Sequence, residues 1–349
     1  MSSYHDEQSG DGGLIAWLEL RAAALREIRA FFDEAGFLEV QTPILLSSPG
    51  QETHIRPFET EFDDPANGRR RCYLVTSPEH HMKRLLGQGC QRIFQIASCF
   101  RDGESSSMHA PEFTMIEWYR TEAGYEEVAE DVERMVRRLW SNVFGQEVIS
   151  NAGGGPVDVA AEWQHLTVSE AFARYTGVDP LDHPEADVDR FRAASRQRGF
   201  ILADTDSWED VFFKLMIEAV EPALAALTRA VFLKDYPSEL SALARISPRN
   251  PRVAERLELY IGGVELANGF SELTDGREQR RRFMAQRAAR RLLPAPTLPL
   301  DEAFLRMLSE GRMPMAGGMA LGLDRLIAVL SGISDIHHTR AFSMDRDAT

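Results

Sequence analysis

The chain has 349 residues, 44% hydrophobic and 27% charged, which leaves room for one large domain or two modest ones and excludes general disorder. Its formal net charge of −15 argues against a protein whose main task is to coat nucleic acid, and stable tRNA binding is not expected. In chain order, residues 1–13 read as a loose polar tail. Residues 14–34 carry Leu18, Leu20, Leu25, Ile28, Phe31 and Phe32 at the spacing of an amphipathic helix, stopped by Gly36. Residues 37–40 read as a short strand before Pro43, residues 47–56 as a polar loop and residues 71–76 as a strand. Ser77 and Pro78 then open a helix through Leu86, with Ser77 as its N-cap. Residues 92–99 are apolar enough for a central strand. A polar loop over 101–112 leads to a strand over 113–119 and a helix over 125–140.

After a connector at 141–161, the segment 165–245 reads as a mostly helical insertion. Strands at 256–260 and 264–273 flank a tight turn at Gly262 and Gly263. An Arg-rich helix at 278–290 presents a solvated face, and a strand at 318–323 runs into a helix at 324–331. The local returns and hairpins predict an α+β fold, an antiparallel β-sheet flanked by helices. Cys72, Cys90 and Cys99 form neither a CxxC pair nor a disulfide framework. No signal peptide and no membrane-length apolar run is present, so the cytoplasm is the expected location and no membrane association is expected.

Three segments carry candidate chemistry. In FRDGESSSMHAPEFTMIEWY, residues 100–119, strand alternation puts Phe113, Met115, Glu117 and Tyr119 on one face. Burying a lone carboxylate is costly. Glu117 therefore either meets a cation, such as a substrate ammonium, or lies in water at a sheet edge. Arg101 and His109 bracket the loop, and the planar fork of an arginine suits phosphate oxygens. In RLELYIGGVELANGFSELTDGREQ, residues 256–279, Glu258 and Glu265 stand on opposite arms of the hairpin. Two adjacent carboxylates repel unless a cation sits between them, and Mg²⁺ often takes only one or two protein oxygens beside phosphate. The competing reading is a solvated hairpin. Asn268, Phe270 and Glu272 alternate onto one face and would suit a cationic amino group. For Glu265 and Asn268 to face the same cavity, the strand needs a bulge or a twist. In GGMALGLDRLIAVL, residues 317–330, small residues let a ligand approach the backbone. Arg325 falls in the first turn of a helix, where the dipole disfavours a cation, so it needs an anion: a nucleotide phosphate or a nearby acid.

In this order the segments resemble the catalytic domain of class II aminoacyl-tRNA synthetases, in the lysyl branch. IRAFFDEAGFLEVQTPIL is similar to motif 1, ending at Pro43; the loop and strand over 100–119 are similar to motif 2, and GMALGLDRL to motif 3. SPEHHMKRLL and GGVELANGFSEL resemble the lysyl-branch pocket segments. Within that branch the chain resembles the truncated elongation factor P lysine ligases in its length, in EWYR, in VELANGF and in Ala320, where the tRNA enzymes usually carry glycine. With only a short tail before motif 1, no anticodon-binding OB domain is expected. One synthetase-like catalytic domain over 14–349 is expected.

The resemblance implies an ATP-dependent ligase that activates (R)-β-lysine as an adenylate and transfers it to a lysine ε-amine of elongation factor P. The alternatives are an α-lysine-activating or tRNA-acylating enzyme and a non-enzymatic paralogue that binds a translation partner. It further implies that Arg101 and Arg325 are catalytic, holding the α- and γ-phosphates of ATP. Phe113 stacks on adenine, His109 lies near the triphosphate, Glu104 takes the adenine side, and Glu258 and Glu265 bind Mg²⁺. Glu79, Glu117, Tyr119, Asn268, Phe270 and Glu272, with Ala320 at the wall, form the amino-acid pocket. Two departures stand out. The usual R-N-E is Arg101-Asp102-Gly103, with Glu104 one position late, and Ala110 replaces the asparagine of HNPEF. The resemblance also implies a homodimer built on motif 1, whose Leu25, Ile28 and Phe32 serve either an interface or the core.

Overall fold

A computed structural model describes residues 11–145, 148–149, 156–292 and 296–342. Helix α1, Asp11–Glu34, begins three residues earlier than the sequence predicts, because the long amphipathic helix propagates back through Gly12 and Gly13. The expected tail thus loses its last three residues to the helix, and its first ten lie outside the described residues. Ile28 and Phe32, one turn apart, are fully buried, and Gly36 ends the segment with a positive φ of 75°.

Two short strands follow, β1 (Leu38–Glu39) and β2 (Leu45–Leu46), then the hairpin of β3 (Glu59–Asp64) and β4 (Gly68–Leu74). Opposite charges set the register of that hairpin: Glu61 faces Arg71 and Asp63 faces Arg69. β3 lacks apolar alternation, which is why the sequence reading passed over it. Helix α2 is Glu79–Leu86. Pro78, not Ser77, stands at its N-cap position, although Ser77 Oγ accepts from Glu79 N at 3.2 Å. Strands β5 (Arg92–Phe100) and β6 (Glu112–Thr121) pair along their length, and α3 (Tyr125–Leu139) follows, ending in a π turn at Trp140–Phe144.

The insertion holds helices α4 (Val168–Tyr175), α5 (Val188–Gln197), α6 (Trp208–Leu215) and α7 (Glu221–Ala225), but strands border it: β7 (Gln164–Thr167) and β8 (Val231–Pro237). Both belong to the main sheet, so the segment 165–245 is less helical than expected. The run VFLKDYP of β8 packs on two sides and shows no period-2 alternation. The hairpin of β9 (Val253–Ile261) and β10 (Val264–Ser271) turns at Gly262 and Gly263, both at positive φ. Then come α8 (Gly276–Arg290), α9 (Glu302–Ser309), β11 (Ala316–Gly322) and α10 (Leu323–Leu330); α9 was not read from the sequence.

Among the described residues the main sheet has eight strands in the order β1-β5-β6-β11-β10-β9-β8-β7, antiparallel throughout except for the parallel pairs at its two edges. Helices α1, α3 and α10 cover one face with the main core, around Phe32, Trp118 and Leu321. The opposite face carries the polar rows described below. Among the described residues no helix is long and apolar enough to cross a membrane, and all three cysteines are free thiols.

Candidate active site

The sheet aligns functional side chains across strands. One row runs Glu117–Ala320–Asn268–Glu258 across β6, β11, β10 and β9, and the next runs Tyr119–Gly318–Phe270–Arg256. Small residues at the centre of each row leave a trough between the large ones. A bulge between Glu265 and Ala267, with Leu266 the extra residue, keeps Glu265 and Asn268 on one face despite their odd spacing, as the sequence requires.

Two adjoining cavities open on this face and share Ile55, Arg101, Met115, Asn268 and Ala320. The first holds Glu104, His109, Phe113, Glu265 and Arg325, all assigned to ATP or metal by sequence. The second holds Glu79, Glu117, Tyr119 and Phe270, all assigned to the amino acid. Glu258 and Glu272 line neither cavity.

In the first cavity the Arg101 guanidinium lies 5.0 Å from the centre of the Phe113 ring and 3.6 Å from Glu104, and its buried Nε has no hydrogen-bond partner among the described residues. Arg325 is fixed by carbonyls rather than by an acid. It donates to Met108 O at 3.0 Å and to Glu265 O at 3.1 Å, and it meets His109 Nε2 at 2.5 Å. An arginine only donates, so Nε2 accepts and Nδ1 carries the proton toward Ser106 Oγ at 2.9 Å. Burial, then the Arg325 charge, lowers the His109 pKa and keeps that ring neutral. Both departures from the motif have packing reasons. A side chain at Gly103, φ +84°, would press on the Arg56 guanidinium, which pairs with Asp102 at 2.9 Å. Ala110 packs in a small apolar cluster with Ala328 and Ile336.

The Glu265 side-chain carboxylate accepts no hydrogen bond among the described residues, and it is pushed up to about 7 by burial and by Glu258. Glu258 has the opposite surroundings. Tyr236 and Tyr260 donate to one oxygen; Arg256, at 2.7 Å, and Asn268, at 3.3 Å, donate to the other. Four donors fill the lone-pair sites of a carboxylate. Among the described residues no cluster of three His, Cys, Asp or Glu could hold a metal alone. For Mg²⁺ carried on a nucleotide, Glu265 would be the open oxygen donor, and Glu258 would have to exchange one of its four donors for the ion.

In the second cavity Glu117 is 1% exposed on an interior strand, so it does not lie in water at a sheet edge. Tyr119 donates to its Oε1 and Ser77 to its Oε2, the latter at 2.9 Å. Burial, then Glu79, pushes the Glu117 carboxyl up to about 8, and burial holds the Tyr119 phenol protonated. Behind the wall, Lys83 is 2% exposed, 2.5 Å from Glu79 and in an ion pair with Glu272. Its ammonium faces the ring of Phe270 at 4.9 Å. The sequence reading missed Lys83, Arg256 and Tyr236. The only available signal was that Lys83 is one of three lysines and stands four residues after Glu79.

Comparisons with known proteins agree with this geometry. The family model described as tRNA synthetases class II (D, K and N) matches residues 13–346. The chain is 38% identical over 335 residues to the elongation factor P–(R)-β-lysine ligase of Proteus mirabilis, covering 95% of this chain and 96% of that protein. The chain belongs to the class II synthetase family. The ligases bearing the same name from Klebsiella pneumoniae and Haemophilus influenzae are 38% and 37% identical, each over 93% of this chain and 94% of its relative. Within the family the chain therefore groups with the elongation factor P ligases, and it is an enzyme. The family's antiparallel sheet carries the motif 2 strand, β6, beside the motif 3 strand, β11.

Proposed function

We propose that the chain activates (R)-β-lysine with ATP and transfers it to the ε-amine of one lysine on elongation factor P. The observation that carries the reading is the pair of joined cavities. One is built for phosphates and an aromatic base, the other for a cationic side chain, and Arg101 stands at their junction. The names of the relatives supply the amino acid and the acceptor.

In the first step the amino-acid carboxylate attacks the α-phosphorus of ATP and pyrophosphate leaves. Arg101, with its unpartnered Nε, stabilises charge on the phosphoryl oxygens, and Arg325 holds the γ-phosphate. Phe113 and Glu104 receive adenine, and neutral His109 orients Arg325. Mg²⁺, when bound through Glu265 and Glu258, supplies charge neutralisation on the triphosphate. Glu117, Tyr119, Glu79, Asn268 and Phe270 position the diamino acid, with Ala320 limiting room at the junction. In the second step the acceptor amine attacks the acyl carbonyl, an amide forms and AMP leaves. The reaction takes place in the cytoplasm. The homodimer is also part of this reading, but Ile28 and Phe32 are core, so its apolar contacts fall to exposed Ile15, Leu38, Ile44 and Leu45.

The test is the intact mass of elongation factor P after incubation with the enzyme, Mg-ATP and (R)-β-lysine, α-lysine or no amino acid. One added lysyl mass, strongest with (R)-β-lysine, is expected. No addition, with aminoacylation of tRNA instead, overturns the reading.

A further inference from the structure

The sequence puts the arginines of α8 in water, yet two of them are buried: Arg282 is 8% exposed and Arg290 1%. Burying a guanidinium is costly unless its donors find acceptors, and here the acceptors are mostly main-chain carbonyls. Arg290 reaches the irregular segment 49–56 between β2 and β3. Its Nη1 donates to Glu52 O at 2.9 Å, Thr53 O at 3.3 Å and Ile55 O at 2.9 Å, and its Nε to Pro296 O at 3.0 Å. Arg282 reaches the segment 241–244 between β8 and β9. Its Nη1 donates to Ala242 O at 3.0 Å and Ala244 O at 2.8 Å, while its Nε bonds Glu278 at 2.8 Å. Ala242 stands at a φ of +43°, which a residue with a side chain holds only where its surroundings impose it.

These two segments have one thing in common: both wall the amino-acid cavity. Glu52 and Ile55 line it from the first, and Ser241, Ala242 and Leu243 from the second. Ile55 also lines the nucleotide cavity, and Asp102 N, next to Arg101, donates to Arg56 O at 2.8 Å. Neither Arg282 nor Arg290 lines either cavity. Irregular chain has no full sheet ladder to satisfy its carbonyls, so the donors that hold it must come from side chains.

We propose that Arg282 and Arg290 are positioning residues for substrate binding: from α8 they fix the two segments that wall the amino-acid cavity. The inference rests on the proposed activation of an amino acid with ATP. Arg282 acts on the amino acid alone. Arg290 acts on both substrates, because the segment it holds carries Ile55 and is bonded to the motif 2 loop.

The test is ATP–pyrophosphate exchange with (R)-β-lysine and ATP varied in turn, and with active sites counted by the adenylate burst. Arg282→Met is expected to raise KM for the amino acid tenfold or more and to leave KM for ATP within twofold. Arg290→Met is expected to raise KM for the amino acid tenfold or more and KM for ATP threefold or more. In both, kcat per active site changes less than threefold. Arg282→Lys and Arg290→Lys, which keep a donor and the charge, are expected to recover at least threefold of the lost KM. Arg280→Ala, on the exposed side of the same helix, is expected to change neither constant. A lower melting temperature or a smaller active fraction with both KM values unaltered marks a purely structural role and overturns the inference. So does an equal rise of both constants in Arg282→Met. Where Arg290→Met fails to fold, Arg282→Met decides. Absence of exchange by the unaltered enzyme with (R)-β-lysine or α-lysine overturns the proposed activity itself, and this role with it.

Discussion

Gly318 lies between Tyr119 and Phe270 in a cross-strand row, and the space above it is the floor of the amino-acid cavity. A Cβ at this position would come well within 3.0 Å of Glu272 Oε1 and of two Tyr119 ring carbons. Neither neighbour gives easily: the Tyr119 hydroxyl is tied to Glu117, and the Glu272 carboxylate is paired with Lys83. Gly318→Ala is therefore overpacking, with a cost of roughly 1–3 kcal/mol. At about 2.1 cal/mol/K of unfolding entropy per residue, that lowers the melting temperature of a chain this long by on the order of 1–4 °C. The function suffers more. Displacing Tyr119 moves the donor that fixes Glu117, and KM for the amino acid is expected to rise at least tenfold. KM for ATP should stay within twofold, because Gly318 lines only the second cavity. Pyrophosphate exchange with each substrate varied in turn measures both. An unchanged KM for the amino acid, or an equal loss in both constants, refutes this account of the floor.

Further outcomes follow from the same geometry. Burial pushes Glu117 and Glu272 up to about 8, so a diammonium substrate must displace their protons below that pH. The value of kcat/KM for the diamino acid should fall as pH drops through 8, and Glu117→Gln should lower the plateau and flatten that limb in a profile over about pH 6 to 9. Arg101→Lys, which replaces a planar fork with a point charge, should lower kcat about 10²–10³-fold with little change in melting temperature. Ala320→Gly opens the junction by one methyl and should narrow the preference between (R)-β-lysine and α-lysine by about 10-fold, within the ~1–3 kcal/mol one such group commands. Asp324 is 2% exposed and bonds Arg21 at 2.6 Å and Thr114 N at 2.7 Å. Arg21→Ala leaves that charge uncompensated and should cost about 3–5 kcal/mol, read from the urea midpoint.

The legible parts of the site were those governed by short-range alternation. Period-2 reasoning placed Glu117 beside Tyr119 and Asn268 beside Phe270, and the odd spacing of Glu265 and Asn268 called for a bulge or a twist, of which the sheet contains the bulge. Pairing between distant strands was not legible. Nothing local says that Ala320 stands between Glu117 and Asn268, or that Tyr236 reaches Glu258. Alternation gives a face and not a depth, so it did not say that Glu272 is 2% exposed and paired with Lys83. Lys83 was missed because a lysine in MKRLL reads as a solvated helix residue. β3 escaped because charge pairs, and not apolar alternation, hold its hairpin.

The helical layer between β7 and β8 is welded to the catalytic sheet. Its core includes Tyr236 and Tyr260, whose hydroxyls both hold Glu258. From Phe172, stacked on Phe212 at 4.6 Å, the contacts pass to the ring of Tyr236 at 6.5 Å and so to the carboxylate. This layer and the site therefore share two side chains. The layer cannot be excised as a module, and its local opening withdraws two phenols from the nucleotide end of the enzyme. A cavity cut at Phe172, far from any substrate, should loosen catalysis before it unfolds the protein.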